Sequence, residues 1–346
     1  MEDEKKIKCV VWDLDDTLWE GTLLAGDALV LKEGIREIIQ ELDRRGILQS
    51  VASKNNHDEA FAELQAFGLD EYFLCPRIHW GSKANSIREI GDAMNLGLDT
   101  FAFVDDRASE RGEVNFHLPE VLTLDAAGYR EILSLKRMNP VFVTEDAARR
   151  RAMYRDEMER NAAEAEFSGS SEAFLQSLGM RLRIAAVTEA DLRRVEELTL
   201  RTSQMNATGY TYSFEELRAL IHSEDHIFLT AELSDRFGDY GKIGLALLER
   251  TADRYVIKLL ILSCRVMTRG IGSTLLIHII RRSLNDGKPL FAEFLETERN
   301  RAMYVTYKFM GFEEKTKDGK KILLAYASDI KREYPAYIQV SPAEPL

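Results

Sequence analysis

An almost unbroken apolar run, Ile7 to Trp12, stops abruptly at Asp13-Leu-Asp15-Asp16-Thr17, and this constrains the fold more than any other stretch. Apolar residues without alternation form strands buried on both faces, and such strands belong to parallel sheets covered by helices. The carboxylates therefore arrive at the C-terminal edge of a sheet, where open α/β sheets hold their ligands. The next hundred or so residues keep to that plan: helix over 32–45, strand over 47–52, helices over 56–67 and 83–94, strand over 100–104, then a shorter strand over 121–124 and a helix to about Leu135. This alternation predicts a doubly wound, parallel-sheet α/β domain over residues 1–135.

Residues 136–171 are dense in charge, with Arg149, Arg150, Arg151, Arg155, Glu157, Glu159 and Arg160, and read as an exposed linker helix ending in the turn Ser168-Gly-Ser-Ser171. A second domain, 172–346, opens with a strand and helices from Asp191 and Phe214. Strands over 226–232, 242–250 and 254–262, a helix from about Gly270, a strand over 289–295, a helix to Met310 and a final strand pair complete an α+β order.

Asp13 and Asp15, close together at a strand end, repel unless a cation separates them. Mg²⁺ prefers hard oxygen ligands and screens a phosphate from an attacking carboxylate. A second pair, Asp105-Asp106, ends the strand Phe101–Val104 and completes a ligand set of Asp13, Asp15, Asp105 and Asp106. Ser53 at another strand end, Asn55 beside it, and Lys83 opening a helix supply groups that hold phosphoryl oxygens. Only a small cap fits between Thr17 and Gly34, so an extended or macromolecule-borne substrate can enter. Taken singly, these aspartates also suit turns and helix caps. His57 is a candidate substrate contact, while His278 reads as a packed residue.

In the second domain, Arg269-Gly-Ile-Gly272 lies between a strand and an amphipathic helix, where backbone N–H groups can approach a pyrophosphate. Cys264, just past that strand, admits two readings: a small buried hydrophobe, or a thiol that carries an acyl group. Cys9 and Cys75 read as structural. Three scattered cysteines exclude a disulfide framework or a cysteine zinc site. A net charge of -12 argues against nucleic acid as a partner. MEDEKKIK has no apolar signal core, and no apolar run is long enough to cross a bilayer, so the expectation is a cytoplasmic protein without a membrane partner.

The order DxDxT, Ser, Lys, paired Asp resembles the haloacid-dehalogenase-like phosphatases. That resemblance implies that Asp13 forms an aspartyl-phosphate, that Asp15 protonates the leaving group and then activates water, and that Asp105 binds Mg²⁺. The glycine turn with Asn300-Arg-Ala-Met303 to Gly311-Phe312 resembles the GNAT acyltransferases, which implies pantetheine-pyrophosphate contacts at Arg269, Gly270, Ile271 and Gly272. Met267 departs from the Arg or Gln usual before those glycines. Over nearly its whole length the chain resembles the FkbH-like family, through Trp12 to Trp19, Ser53 to Asn56, His79 to Lys83, Phe103 to Arg111, Arg201 to Thr208 and Leu262 to Val266. Arg107 stands where that family has Asn, and Met205 where it has an aromatic residue.

The family resemblance implies a glyceryltransferase and phosphatase that takes a glyceryl unit from 1,3-bisphosphoglycerate, a phosphorylated glycerate-type substrate, onto the phosphopantetheine of an acyl carrier protein in polyketide-type pathways. It also implies an acyl-carrying role for Cys264. Carrier proteins are acidic, so the arginines from Arg149 to Arg155 are a candidate docking surface, or else a solvated helix face. Two other readings stand beside this one: a stand-alone Mg²⁺-dependent small-molecule phosphatase whose second domain orients substrate, and a non-enzymatic carrier-protein adaptor.

Overall fold

The buried run forms strand β1 (Cys9–Trp12), with all four residues out of solvent. The structure, a computed structural model, describes residues 5–140, 143–328 and 330–342. The chain divides into two compact units, Met1–Arg155 and Asp156–Leu346.

In the first unit a small hairpin, β2 (Trp19–Glu20) and β3 (Val30–Leu31), succeeds β1. Helix α1 (Ile35–Arg44) buries Ile35, Ile38, Ile39 and Leu42, one stripe of a 3.6-residue period. Then come β4 (Leu48–Ser53), α2 (His57–Ala66), β5 (Arg77–Ile78), α3 (Lys83–Met94), β6 (Phe101–Asp105), α4 (Ala108–His117) and β7 (Leu122–Asp125). The sheet order is β5-β4-β1-β6-β7, every pairing parallel. This is the doubly wound arrangement: the chain moves to one side of β1, then returns to the other. Trp12 is buried with its Nε1 donating to Gln49 Oε1 at 3.1 Å, and Gln49 Nε2 donates to Ile39 O at 2.9 Å, so the core keeps its polar atoms paired. The helix expected up to Leu135 instead winds as 3₁₀ turns over Ala126–Ser134, with Gly128 outside helical geometry.

After α5 (Glu145–Ala148), helix α6 (Arg150–Glu166) crosses the unit boundary. The second unit continues with α7 (Ser171–Ser177), β8 (Met180–Ala186), α8 (Leu192–Arg201), α9 (Phe214–Ile221), β9 (His226–Asp235), β10 (Gly238–Arg250) and β11 (Tyr255–Leu262). α10 (Ile271–Asn285), β12 (Leu290–Leu295), α11 (Arg301–Phe309), β13 (Phe312–Asp318), β14 (Lys321–Tyr326) and β15 (Ile338–Pro342) complete it. Its sheet runs β13-β14-β12-β11-β10-β9-β8-β15, with β15 pairing parallel to β8 beyond the expected final strand pair. At the other edge β13 is exposed and charged from Glu313 to Asp318.

β11 and β12 pair in parallel only over Tyr255–Ile257 and Leu290–Ala292. Beyond that the chain's own backbone bridges them: Ala207 N–H donates to Leu260 O at 3.0 Å, and Leu295 N–H donates to Ala207 O at 3.0 Å. Buried Asn300 locks this bridge, its Nδ2 donating to the carbonyls of Leu295 and Asn206 at 2.8 and 3.1 Å.

The part of α6 in the second unit is held by a buried ionic cluster. Arg160, 1% exposed, donates to both oxygens of Asp235 at 2.6 and 3.0 Å, and to Glu157. Its guanidinium lies 4.1 Å from the Tyr240 ring centre, and Tyr240 Oη also donates to Asp235. Burial raises the pKa of Asp235, but the Arg160 hydrogen bond and charge, with the Phe237 N–H and Tyr240, outweigh it and hold the carboxyl below its usual value.

Removing one partner of such a pair leaves the other charge buried, so Asp235→Ala should cost about 3–5 kcal/mol in urea unfolding. Because the native pKa is depressed, this contribution is present above about pH 4 and lost on acidification through the lower native value. The variant should therefore lose less stability than the wild type below that pH; equal acid slopes would refute the assignment.

Candidate active site

The β1/β6 register pairs Trp12 with Val104. The next residues, Asp13 and Asp105, therefore stand side by side at adjacent strand ends, and Asp13 N–H donates to Val104 O at 2.9 Å. β1 and β6 flank the point where the strand order reverses, the usual ligand crevice of such sheets. One oxygen from each of Asp13, Asp105 and Asp106 lies within 4.8 Å of the others. Asp13 and Asp105 are buried and Asp106 is half-buried.

Lys83, the first residue of α3, reaches into this group with its side chain buried. Its Nζ is 3.0 Å from Asp13 Oδ1 and donates to Asp105 Oδ2. Burial disfavours its charge, yet Asp13 and Asp105 outweigh burial and raise its pKa. Burial pushes Asp13 up to about 6, against the lowering effect of Lys83 and with a further rise from Asp105. Asp106 is raised as well, by burial and then by Asp105. One ammonium thus serves three gathered carboxylates, and the excess negative charge calls for a cation. Asp106 Oδ1 is buried with no hydrogen-bond partner. An oxygen-only donor set with an orphaned acceptor fits Mg²⁺.

Neighbouring groups fix these oxygens. Thr17 Oγ1 accepts from Asp106 N–H at 3.1 Å, and Arg107 N–H donates to Asp105 Oδ1 at 2.8 Å. Arg111 Nη1 donates to the carbonyls of Asp105 and Asp106 at 2.7 and 2.8 Å, and its Nη2 pairs with Asp125. Lys54, after β4, pairs with Glu110 at 2.9 Å. Sequence reasoning assigned no role to Thr17 or Arg111 beyond the motifs that contain them.

Asp15 differs from the expectation, since its carboxylate is not part of the cation group. Oδ1 accepts from Trp19 Nε1 at 2.9 Å and from Leu23 N–H at 3.2 Å, while Oδ2 accepts from Asn55 Nδ2 at 3.0 Å. Asn55 is buried with Oδ1 unpartnered, so this residue, expected to hold phosphate, orients Asp15 and keeps one free acceptor. Ser53 is buried at the end of β4. His57 is exposed, stacked 5.8 Å from Phe61 and bonded to Asp58.

The arginines expected to form a docking surface are largely engaged within the first unit. Arg150 donates to Gly46 O, Arg151 pairs with Asp43 and Glu71, and Arg155 donates to Glu71 O.

Of the second-unit residues expected to meet a pyrophosphate, Arg269 and Ile271 are buried, while Gly270 and Gly272 are partly exposed. Arg269, 2% exposed, pairs with Glu164 at 2.8 Å. Ile271 is wholly buried. Cys264 is partly exposed and opens a 3₁₀ turn directly after β11. A cavity of about 690 Å³ lies elsewhere on the sheet, lined by residues that include Tyr210, Tyr212, Lys258, Glu293 and Lys321 but not Cys264.

No family model matches the chain, and no curated protein matches it. Among solved structures it is similar to the N-terminal part of the protein BF1531 from Bacteroides fragilis, containing a phosphatase domain complexed with Mg, at 29% identity and a TM-score of 0.34; the match covers 39% of this chain and 40% of that one. It is also similar to PaiA N-acetyltransferase from Thermoplasma acidophilum in complex with coenzyme A, at 22% identity over 42% of this chain and 97% of that one, TM-score 0.35. A third is the ribosomal-protein-S18-alanine N-acetyltransferase from Escherichia coli, at 16% identity over 44% and 99%, TM-score 0.33.

Calorimetric titration with Mg²⁺ tests the carboxylate group. The wild type should bind one ion, Asp105→Asn should lose it, and Arg111→Met, which removes the donor to the carbonyls of Asp105 and Asp106 together with the Asp125 pairing, should weaken affinity about 10–100-fold. Unchanged affinity in Asp105→Asn would remove Asp105 from the set.

Proposed function

We propose that the first unit is a Mg²⁺-dependent phosphatase with Asp13 as nucleophile, and that the whole chain loads a glyceryl unit from 1,3-bisphosphoglycerate onto a carrier-protein thiol with loss of phosphate. The observation that carries the phosphatase reading is the gathering of Asp13, Asp105 and Asp106 around Lys83 at the sheet's switch point. The glyceryl and carrier parts rest on the FkbH-like resemblance.

In this reading a carboxylate oxygen of Asp13 bonds to phosphorus as the ester oxygen leaves. Asp15, oriented by Trp19, Leu23 and Asn55, gives that oxygen a proton and later takes one from the water that frees phosphate. Lys83 neutralises charge beside Asp13 throughout. Asp13, Asp105 and Asp106 would hold Mg²⁺, whose positive charge would reduce repulsion between nucleophile and substrate. For acyl transfer, a thiolate forms a C–S bond to the acyl carbon while the C–O bond to the 1-phosphate breaks; Cys264 is the candidate intermediate carrier. Cytoplasmic acyl carrier protein is the proposed acceptor.

A second reading, a stand-alone phosphatase whose second unit orients substrate, is favoured by one observation: the Arg269 side chain is buried and paired with Glu164.

Intact-mass measurement after incubation with 1,3-bisphosphoglycerate, Mg²⁺ and phosphopantetheinylated carrier separates the two. A glyceryl adduct on the carrier supports the first, and free phosphate without an adduct supports the second. Asp13→Asn should lower phosphate release by on the order of 10³ or more, and Cys264→Ala should abolish the adduct while sparing phosphate release. Normal transfer by Cys264→Ala would end the covalent role of the thiol.

A further inference from the structure

Helix α11 divides its side chains between two faces. Met303, Tyr307 and Met310, just past its end, are buried, whereas Arg301, Val305, Lys308 and Phe309 are exposed. The exposed set is spaced i, i+4, i+7 and i+8, which places it on one side of the helix within about 100° of arc. Two of the four are apolar and stand well out from the protein, Val305 at 55% exposure and Phe309 at 76%. The other two are cations, and among the described residues neither Arg301 nor Lys308 has a side-chain hydrogen bond or ion pair. The helix, RAMYVTYKF, holds no carboxylate, in a chain with 58 acidic and 46 basic residues. Arg301 takes the first helical position, where the positive end of the helix dipole disfavours a cation. Its charge therefore works against the helix and is available to an outside anion.

The chain after β14 extends this surface. Ala327 N–H donates to Gly311 O at 3.1 Å, and the Cβ position at Gly311 is 3.4 Å from Arg332 Nη2, so the chain between them passes the end of α11. There Ile330 is 70% exposed and Lys331 is exposed without a side-chain partner. The other end of α11 lies at the sheet end that leads to Cys264. β11 and β12 run parallel, Cys264 follows β11, and Asn300, one residue before α11, donates to the last carbonyl of β12.

Exposed apolar side chains gathered among unpaired cations mark a surface for a protein that offers carboxylates around apolar side chains of its own. Nucleic acid asks for a broad basic surface, which a chain of net charge -12 does not supply with three cations. We propose that Arg301, Val305, Lys308 and Phe309, with Ile330 and Lys331, dock an acidic carrier protein. This rests on the carrier-loading part of the proposed function and brings the carrier to the Cys264 end of the second sheet. It takes the part expected of the arginines from Arg149 to Arg155, which are largely engaged within the first unit.

Binding of the full chain to a phosphopantetheinylated acyl carrier protein is measured by interferometry over a range of salt, beside the carrier dependence of loading from 1,3-bisphosphoglycerate. Phe309→Ser should weaken binding at least about tenfold and raise the KM for carrier in step, with kcat kept at saturating carrier. Arg301→Glu combined with Lys308→Glu should slow association and flatten its salt dependence. Phosphate release from p-nitrophenyl phosphate, which needs no carrier, should be unchanged in each, and circular dichroism reports their folding. Val305→Ser gives the same reading should Phe309→Ser not fold. Wild-type binding and loading by either folded variant overturns the docking surface alone. Binding without loading in the wild type counts against the proposed function alone, and the variants then decide the surface by affinity. A wild type that neither binds nor loads carrier overturns both. Sedimentation tests the rival occupant: a wild-type dimer dispersed by Phe309→Ser makes the face a self-association surface and overturns the proposal.

Discussion

The first unit depends on a register. One parallel alignment, Trp12 beside Val104, brings Asp13 and Asp105 to the same level of the sheet, and because side chains alternate, a one-residue slip would send one of them to the opposite face. The repulsion this creates is met by a lysine from a third element, α3, whose burial beside them is tolerable only because two carboxylates face it. Sheet, helix start and paired acids are thus mutually conditional. Arg111 extends the dependence outward, fastening the carbonyls of Asp105 and Asp106 from one turn along α4.

The second unit uses charge differently. Arg160 and Asp235 are buried as a pair with Tyr240 and Glu157 around them, and they anchor the latter part of a helix whose low apolar content could not hold it by burial alone. Arg269 joins the same system through Glu157 and Glu164. A charged stretch that reads as a solvated linker is therefore partly an inward-facing structural element.

The features legible in the sequence are the local ones. The run ending at Asp13, the helix expected over 32–45 and the strand ending at Asp105 carry their periodicity in neighbouring residues, and each is present. The partners of Asp15 are less visible, because Trp19 and Asn55 meet it only through the hairpin and the β4 loop. Nothing nearby in sequence announces that the Arg269 side chain pairs with Glu164 on α6 rather than facing outward. β15 is not legible for a related reason: it is short, preceded by Pro335 and ending on Pro342, and defined by its distant partner β8. Residues 126–134 carry a helical pattern, but Gly128 leaves it only 3₁₀ turns.

Exposed edges of the second sheet carry a consequence for life in a crowded solution. A terminal strand offers unpaired N–H and C=O groups to any other extended chain. β13 lines that border with charged side chains of both signs, so a further strand aligning there would have to strip their hydration. At the opposite border β15 is brief and closes on proline, which cannot donate to a further strand. Charge at one margin and proline at the other make either border a costly place for a further strand to pair.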